Sequence, residues 1–149
     1  MKPPKETTDS PVQAAWWSSA GILYFFAAGS PPHAIKIGVA ALTNGCTMRQ
    51  AVTRRFKQIQ SSNHETVELL GIIAFTEGQY PTRLAEVRER ELHLQFAHLQ
   101  RFKAGTRGSE WFMPSEELLS HITEISTPLE TLDLPRFIGS PVNCNDRNI

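Results

Sequence analysis

The sequence predicts an α+β domain in which helices flank a three-stranded antiparallel sheet, and three features of its patterning carry that expectation. Residues 22–27 and 35–40 are aromatic and aliphatic runs separated by Gly29-Ser30-Pro31-Pro32, the pattern of an antiparallel hairpin. Met48, Val52, Phe56 and Ile59 then recur at helical spacing with Arg, Gln and Lys between them. Residues 67–75 return to β-branched and aliphatic side chains between the turn clusters Ser61-Ser62-Asn63-His64 and Glu77-Gly78, which makes them a buried third strand.

The 149 residues suffice for one compact domain. Residues 1–19 are polar, with little periodicity, and read as a flexible leader ending in Trp16 and Trp17, two side chains that need burial. The domain proper is expected over 20–126. After the hairpin, the helix at 48–60 and the third strand, residues 82–99 contain no Pro or Gly, and Leu84, Leu92, Phe96 and Leu99 give an apolar face, so the longest helix is expected there. A Gly-rich basic loop at 104–109 leads to Glu110-Trp111-Phe112, whose aromatic pair is expected to pack the last helix onto the sheet. Ser115 is suited to N-cap that helix, with Glu116 and Glu117 at the positive end of its dipole. Pro128, Pro135 and Pro141 argue for an irregular tail over 127–149. The expected order is strand, strand, helix, strand, helix, helix.

Fifteen basic and fifteen acidic residues cancel, so overall charge excludes a protein that coats nucleic acid, and any phosphate-binding surface must be local. Cys46 and Cys144 lie far apart and suggest neither a zinc cluster nor a disulfide framework, which fits a reducing, cytoplasmic setting. No apolar run approaches the roughly 20 residues of a membrane helix, and the N-terminus lacks a signal pattern. The charges are segregated. Arg49, Arg54, Arg55 and Lys57 fall in a stretch without acidic residues, and Arg83, Arg88, Arg90, Arg101, Lys103 and Arg107 form a second group that can line one groove with the first. From Glu110 to Asp133 there are six acidic residues and neither Lys nor Arg. On charge alone, a phosphate partner and ordinary solvated helix faces both remain open.

Helical phase separates the neighbouring arginines. With about 100° per residue, Arg55 lies roughly 55° from the centre of the apolar stripe and Arg54 roughly 155° away. Arg55 is thus at the rim of the buried side, and Arg54 points to water. Lys36, between Ile35 and Ile37, faces the opposite side of its strand from those neighbours, where an ammonium can meet a phosphate, depress a nearby tyrosine pKa or simply face solvent. Glu89 and His93 share a helix face at i,i+4.

In order, Gly21-Ile22-Leu23-Tyr24, Lys36-Ile37-Gly38, Arg55, Glu89 with His93, and Glu110-Trp111-Phe112 form a set that resembles the GIY-YIG nuclease superfamily, in the phage and bacterial branch with lysine where the second tyrosine usually stands. The resemblance spans about residues 21–125. It implies a metal-dependent endonuclease acting on nucleic acid, DNA first, with Tyr24 activating the attacking water, Arg55 and Lys36 on the phosphate, Glu89 holding Mg²⁺ or Mn²⁺, and His93 as neighbour to that metal or a phosphate contact. A phenol is a poor base at its ordinary pKa near 10, so such a site is expected to lower it or relay its proton. Arg49, Arg54, Lys57, Arg101, Lys103 and Arg107 are expected to bind the polymer backbone. The competing expectation is a binding module that keeps the fold without the chemistry.

Overall fold

In the computed structural model, which describes residues 10–102 and 110–136, the hairpin expected from the sequence forms the centre of the sheet. Its strands, β1 (Gly21–Ala28) and β2 (Ala34–Ala41), pair antiparallel with Tyr24 opposite Gly38 and Phe26 opposite Lys36. β3 (Val67–Phe75) pairs antiparallel with the other edge of β1, so β1 is flanked on both sides and buried along its length. The sheet has four strands rather than three, in the order β3-β1-β2-β4. The fourth, β4 (Trp111–Phe112), is only two residues long and pairs with Ile35 and Lys36. A segment that short carries no alternation for a sequence pattern to reveal.

The two faces of the sheet have different cores. Ile22, Tyr24 and Phe26 pack with Val52, Phe56 and Ile59 of α2 (Met48–Ser61), while Leu23, Phe25 and Ala27 pack with Leu92, Phe96, Leu118 and Ile122. The latter come from α3 (Pro81–Gln95), the turn after it, and α4 (Glu116–Ile125). The result is an α+β domain with helices on both faces of an antiparallel sheet. α2 is opened by a capping box in which Thr47 and Gln50 each satisfy the other's backbone N–H, and Ser115 caps α4 by accepting from Leu118 N at 3.1 Å. No helix among the described residues is long and apolar enough to cross a membrane.

Two expectations need correction, and the tail adds packing that the sequence did not show. Part of the expected leader is a helix, α1 (Pro11–Ser18), capped by Ser10. Eight residues are too few to be helical on propensity alone. Its anchor is Trp17, which is 4% exposed, stacks its ring under the Arg83 guanidinium at 5.4 Å and donates from Nε1 to Glu86 Oε1 at 2.9 Å. The tail is irregular through Arg136 but packed: Thr127 bridges to Ile72, Leu129 and Leu134 enter the core beside α2, and Arg136 pairs with Glu68. Finally, Leu84 is 50% exposed and takes no part in the buried side of α3. That helix instead turns the half-buried polar stripe Glu86, Glu89, His93 inward, at helical spacing.

α3 is placed by two contacts with the sheet. Thr82 donates from Oγ1 to Ser19 O at 2.8 Å, and a Cβ at Gly21 would lie 2.6 Å from that same oxygen, so the helix reaches β1 only because residue 21 is glycine. Further along, His93 Nε2 lies 3.2 Å from Ile37 O, while Ile37 N donates to Glu110 O at 3.1 Å. Both backbone groups of Ile37 are thus used on the outer edge of β2. α3 and the chain entering β4 meet there.

Candidate active site

A groove of about 370 Å³ runs along this meeting line, and it draws side chains from six parts of the chain. Tyr24 comes from β1, Lys36 and Val39 from β2, Arg55, Gln58 and Ile59 from α2, Glu86 and Glu89 from α3. Glu110 and Trp111 enter from the β4 segment, and Trp16 from α1. Four of the five residues expected to form a catalytic set therefore meet, although they are spread over 66 positions from Tyr24 to Glu89 (89 − 24 = 65 intervals).

The position of Tyr24 depends on its cross-strand partner. A Cβ at Gly38 would fall 2.5 Å from Tyr24 Cζ, so the phenol ring lies across β2 in space that only glycine leaves free. On its other side the ring leans on Phe26, with centroids 5.3 Å apart. Arg55 is half-buried at the rim of α2, its Nη1 donating to Gln58 Oε1 at 3.3 Å. Lys36 is fixed more tightly: Nζ is 2.7 Å from Glu110 Oε2 and 5.5 Å from the centre of the Trp111 ring.

The electrostatics separate these groups. Burial pushes the Tyr24 phenol well above its ordinary value, Arg55 partly offsets this, and Glu110 and Glu89 add to it. The expectation of a lowered phenol pKa is not met, because loss of water outweighs one nearby cation. The cation that offsets the shift is Arg55. Glu89 is raised to about 8, first by burial and then by Glu110 and Glu86, with Lys36 and Arg90 pulling the other way. Glu86 is raised by burial as well, against its hydrogen bond from Trp17.

His93 lies beside the groove, behind its lining. Its Nε2 faces a carbonyl oxygen, which can only accept, so that nitrogen carries the proton. The ring packs on Phe112 at 5.1 Å, and burial pulls its pKa down despite the Ile37 hydrogen bond and Glu110, leaving a neutral imidazole that ties α3 to β2. It is not in the groove lining, although the charges of Glu110 and Lys36, which are, act on it.

Among the described residues, the expected basic groups other than Arg55 do not line this groove. Arg49, Arg54 and Lys57 share an outer hollow with Gln50 and Thr53. At about 100° per residue that side of α2 is centred roughly 157° from the side carrying Arg55, Gln58, Ile59 and Ser62. Arg49 reaches Asp133 O at 3.2 Å and Arg101 reaches His33 O at 3.2 Å, both away from the groove. Arg83 is covered by Trp17, and Arg88 is 3.7 Å from Glu91. Lys103 and Arg107 lie outside the described residues.

Sequence reasoning underrated Glu110 and overlooked Glu86 and Trp16. Glu86 had a signal, since it precedes Glu89 by three residues on the same helix. Trp16 and Glu110 had none beyond proximity to Trp17 and Trp111, because their places depend on how α1 and β4 dock.

Among the described residues the groove lining carries two basic side chains, Lys36 and Arg55, and three acidic ones, Glu86, Glu89 and Glu110. Among the described residues no set of three or more His, Cys, Asp or Glu side chains is arranged to enclose a metal ion. A divalent cation held there would rest on Glu89 alone, with water and substrate oxygens completing its shell, a mode Mg²⁺ accepts because it dehydrates reluctantly. The Glu89 carboxyl, raised first by burial and then by Glu110 and Glu86, fits such an ion, since a positive charge would favour its ionised form. Compared with protein-family models, curated proteins and solved structures, the chain matches none.

Proposed function

We propose that this chain is a GIY-YIG-type endonuclease that hydrolyses phosphodiester bonds in nucleic acid, with DNA as first substrate and Mg²⁺ or Mn²⁺ as cofactor, in a cytoplasmic setting. The observation that carries the reading is the convergence of Tyr24, Lys36, Arg55 and Glu89 on one groove from four separate elements. A fold kept only as a scaffold has no use for that set in one place.

Each side chain has a role that follows from its surroundings. Arg55 presents a guanidinium fork to two phosphate oxygens and offsets the charge that grows on them in the transition state. Lys36, braced by Glu110 and Trp111, gives a fixed point charge on the same phosphate, a role open to lysine as to tyrosine. Tyr24 is a neutral phenol at pH 7 in the free protein, so its hydroxyl orients the attacking water by hydrogen bonding rather than starting as a phenolate. Glu89 would hold the cation, which would supply charge neutralisation at the phosphate and at the leaving oxygen.

A second reading, a binding module without cleavage, is favoured by the elevated phenol. One experiment separates the two: purified protein is incubated with supercoiled plasmid, single-stranded DNA and RNA in EDTA, Mg²⁺ or Mn²⁺, beside Glu89→Gln. The nuclease reading expects cleavage in Mg²⁺ or Mn²⁺ that is lost in Glu89→Gln while binding survives. Equal cleavage by the variant overturns this active site, and binding without cleavage in either ion establishes the module.

A further inference from the structure

We infer that the groove takes a single unpaired nucleotide, its base stacked on Trp16, so that the substrate is single-stranded or locally unpaired nucleic acid rather than intact duplex. This rests on the nuclease reading of the same groove and adds the form of the polymer.

Two tryptophans on unconnected elements line the groove, Trp16 from α1 and Trp111 from β4, and both are half-buried. Trp16 is held there by its neighbour. Trp17 is locked between Arg83, Tyr80 and Glu86, and successive helix residues diverge by about 100°, so docking Trp17 on α3 turns Trp16 sideways onto the groove. α1 thus adds one indole to the groove and little else. Packing does not require that indole, because Trp17 makes the anchoring contacts.

The combination is that of single-strand binders: cations that track the backbone beside aromatic faces on which bases stack. Lys36 and Arg55 are the cations, and the first lies over the Trp111 ring, which joins the phosphate contact to an aromatic wall. At about 370 Å³ the groove is at the small end of the range of about 300–1,000 Å³ for pockets that enclose one small ligand. A base paired within a double helix presents only its edge to a protein, and its faces are already stacked. An indole at the groove wall therefore gains a partner only from an unpaired base.

The test measures affinities of the full chain in Ca²⁺ for a labelled single-stranded DNA, the RNA of the same sequence, the matching duplex, and single strands carrying one abasic site at each position in turn. Wild type, Trp16→Phe and Trp16→Ala are compared, with circular dichroism to show that the fold is kept. Trp16→Ala is expected to weaken single-strand binding about 5- to 150-fold, Trp16→Phe to recover most of it, and duplex binding to stay unchanged. One abasic position should mimic Trp16→Ala and add nothing to it. Unchanged single-strand affinity in Trp16→Ala overturns the inference, as does an equal loss on duplex, which marks a structural effect. Cleavage in Mg²⁺ separates the layers. Intact duplex cut as fast as single strands sinks the stacking role and leaves the nuclease, whereas Trp16-dependent single-strand binding without cleavage sinks the nuclease and leaves the stacking role.

Discussion

α2 has two cationic sides with opposite surroundings. One presents Arg55, half-buried, to a groove it shares with Lys36, Glu86, Glu89 and Glu110. The other presents Arg49, Arg54 and Lys57 to open solvent beside Thr53 and Gln50. The side with more positive charge is the more conspicuous in the sequence, yet the lone arginine is the one that meets a tyrosine, a lysine and a raised carboxyl. Charge density marks where a polyanion can be attracted, whereas burial and convergence mark where a reaction can be controlled. The two sides should therefore respond differently to substitution, and the largest difference concerns neighbouring residues. Arg55→Ala is expected to lower kcat by about 10²–10³, the usual loss when one fixed donor to a developing oxyanion is removed. Arg54→Ala should leave kcat unchanged and weaken binding. Single-turnover kinetics on one oligonucleotide reads both, and the reverse ranking would break the distinction between the two sides.

A second expected effect tests how the groove side is built. Gly38→Ala puts a methyl group where the Tyr24 ring lies, and either the ring or β2 must move. Overpacking of this kind costs about 1–3 kcal/mol. Activity should fall even under conditions where the variant remains folded, because the phenol leaves its place. Gly71→Ala, next to Ser126 at the end of α4, should destabilise comparably without a specific loss of activity per folded molecule. Equal loss of activity in both, normalised to folded protein, would show that the Tyr24–Gly38 contact has no role in the site.

These glycines show what the sequence made legible. The hairpin, α2, β3 and the α4 cap were readable because apolar periodicity and turn residues act locally. Gly21 and Gly38 fell in recognisable words, but their reasons, the approach of Thr82 and the ring of Tyr24, are contacts between elements and have no local signature. Helical phase was enough to choose Arg55 over Arg54 as the inward residue. It did not reveal that α2 would split its cations between opposite surroundings, since that requires knowing where the β2 edge lies. Glu110 was hidden for a related reason: its importance arises from one ion pair with Lys36, 74 positions away.

The third expected effect is on stability and belongs to the groove alone. In EDTA the folded Glu89 carboxyl titrates at about 8, against 4.5 ordinarily, so between those values the folded chain keeps a proton that the unfolded chain releases. The stability this group contributes is full below about pH 4.5 and is lost as pH rises through 8. Facing it are Glu110, Lys36 and Tyr24 from the sheet side and Glu86 and Arg90 on its own helix, and the carboxylates prevail over the cations. Glu89→Gln removes the titration. The variant should melt at a higher temperature than wild type at pH 9 and at the same temperature at pH 5, as followed by circular dichroism. A constant difference across that range would mean that Glu89 is not charged against its surroundings.

The smallest effect is expected on the outer side of α2. Arg49, Arg54 and Lys57 are exposed, and their contacts, a carbonyl at 3.2 Å for Arg49 and the Cys46 sulfur at 3.9 Å for Arg54, are ones that water can replace. Each alanine substitution should therefore change stability by no more than about 0.5 kcal/mol. If this side touches the polymer backbone, each lost phosphate contact releases fewer counterions, and the slope of log K against log salt should flatten by about 0.9 per side chain on duplex and about 0.7 on single strands. kcat should stay unchanged, because none of the three reaches the groove. The triple variant, titrated from low to moderate salt, shows whether the polymer extends past the groove and around α2. A flattened slope with intact kcat places backbone contacts on both sides of the helix. An unaltered slope leaves the outer charges as a solvated face, and the groove then holds the whole of the nucleic-acid interface on α2.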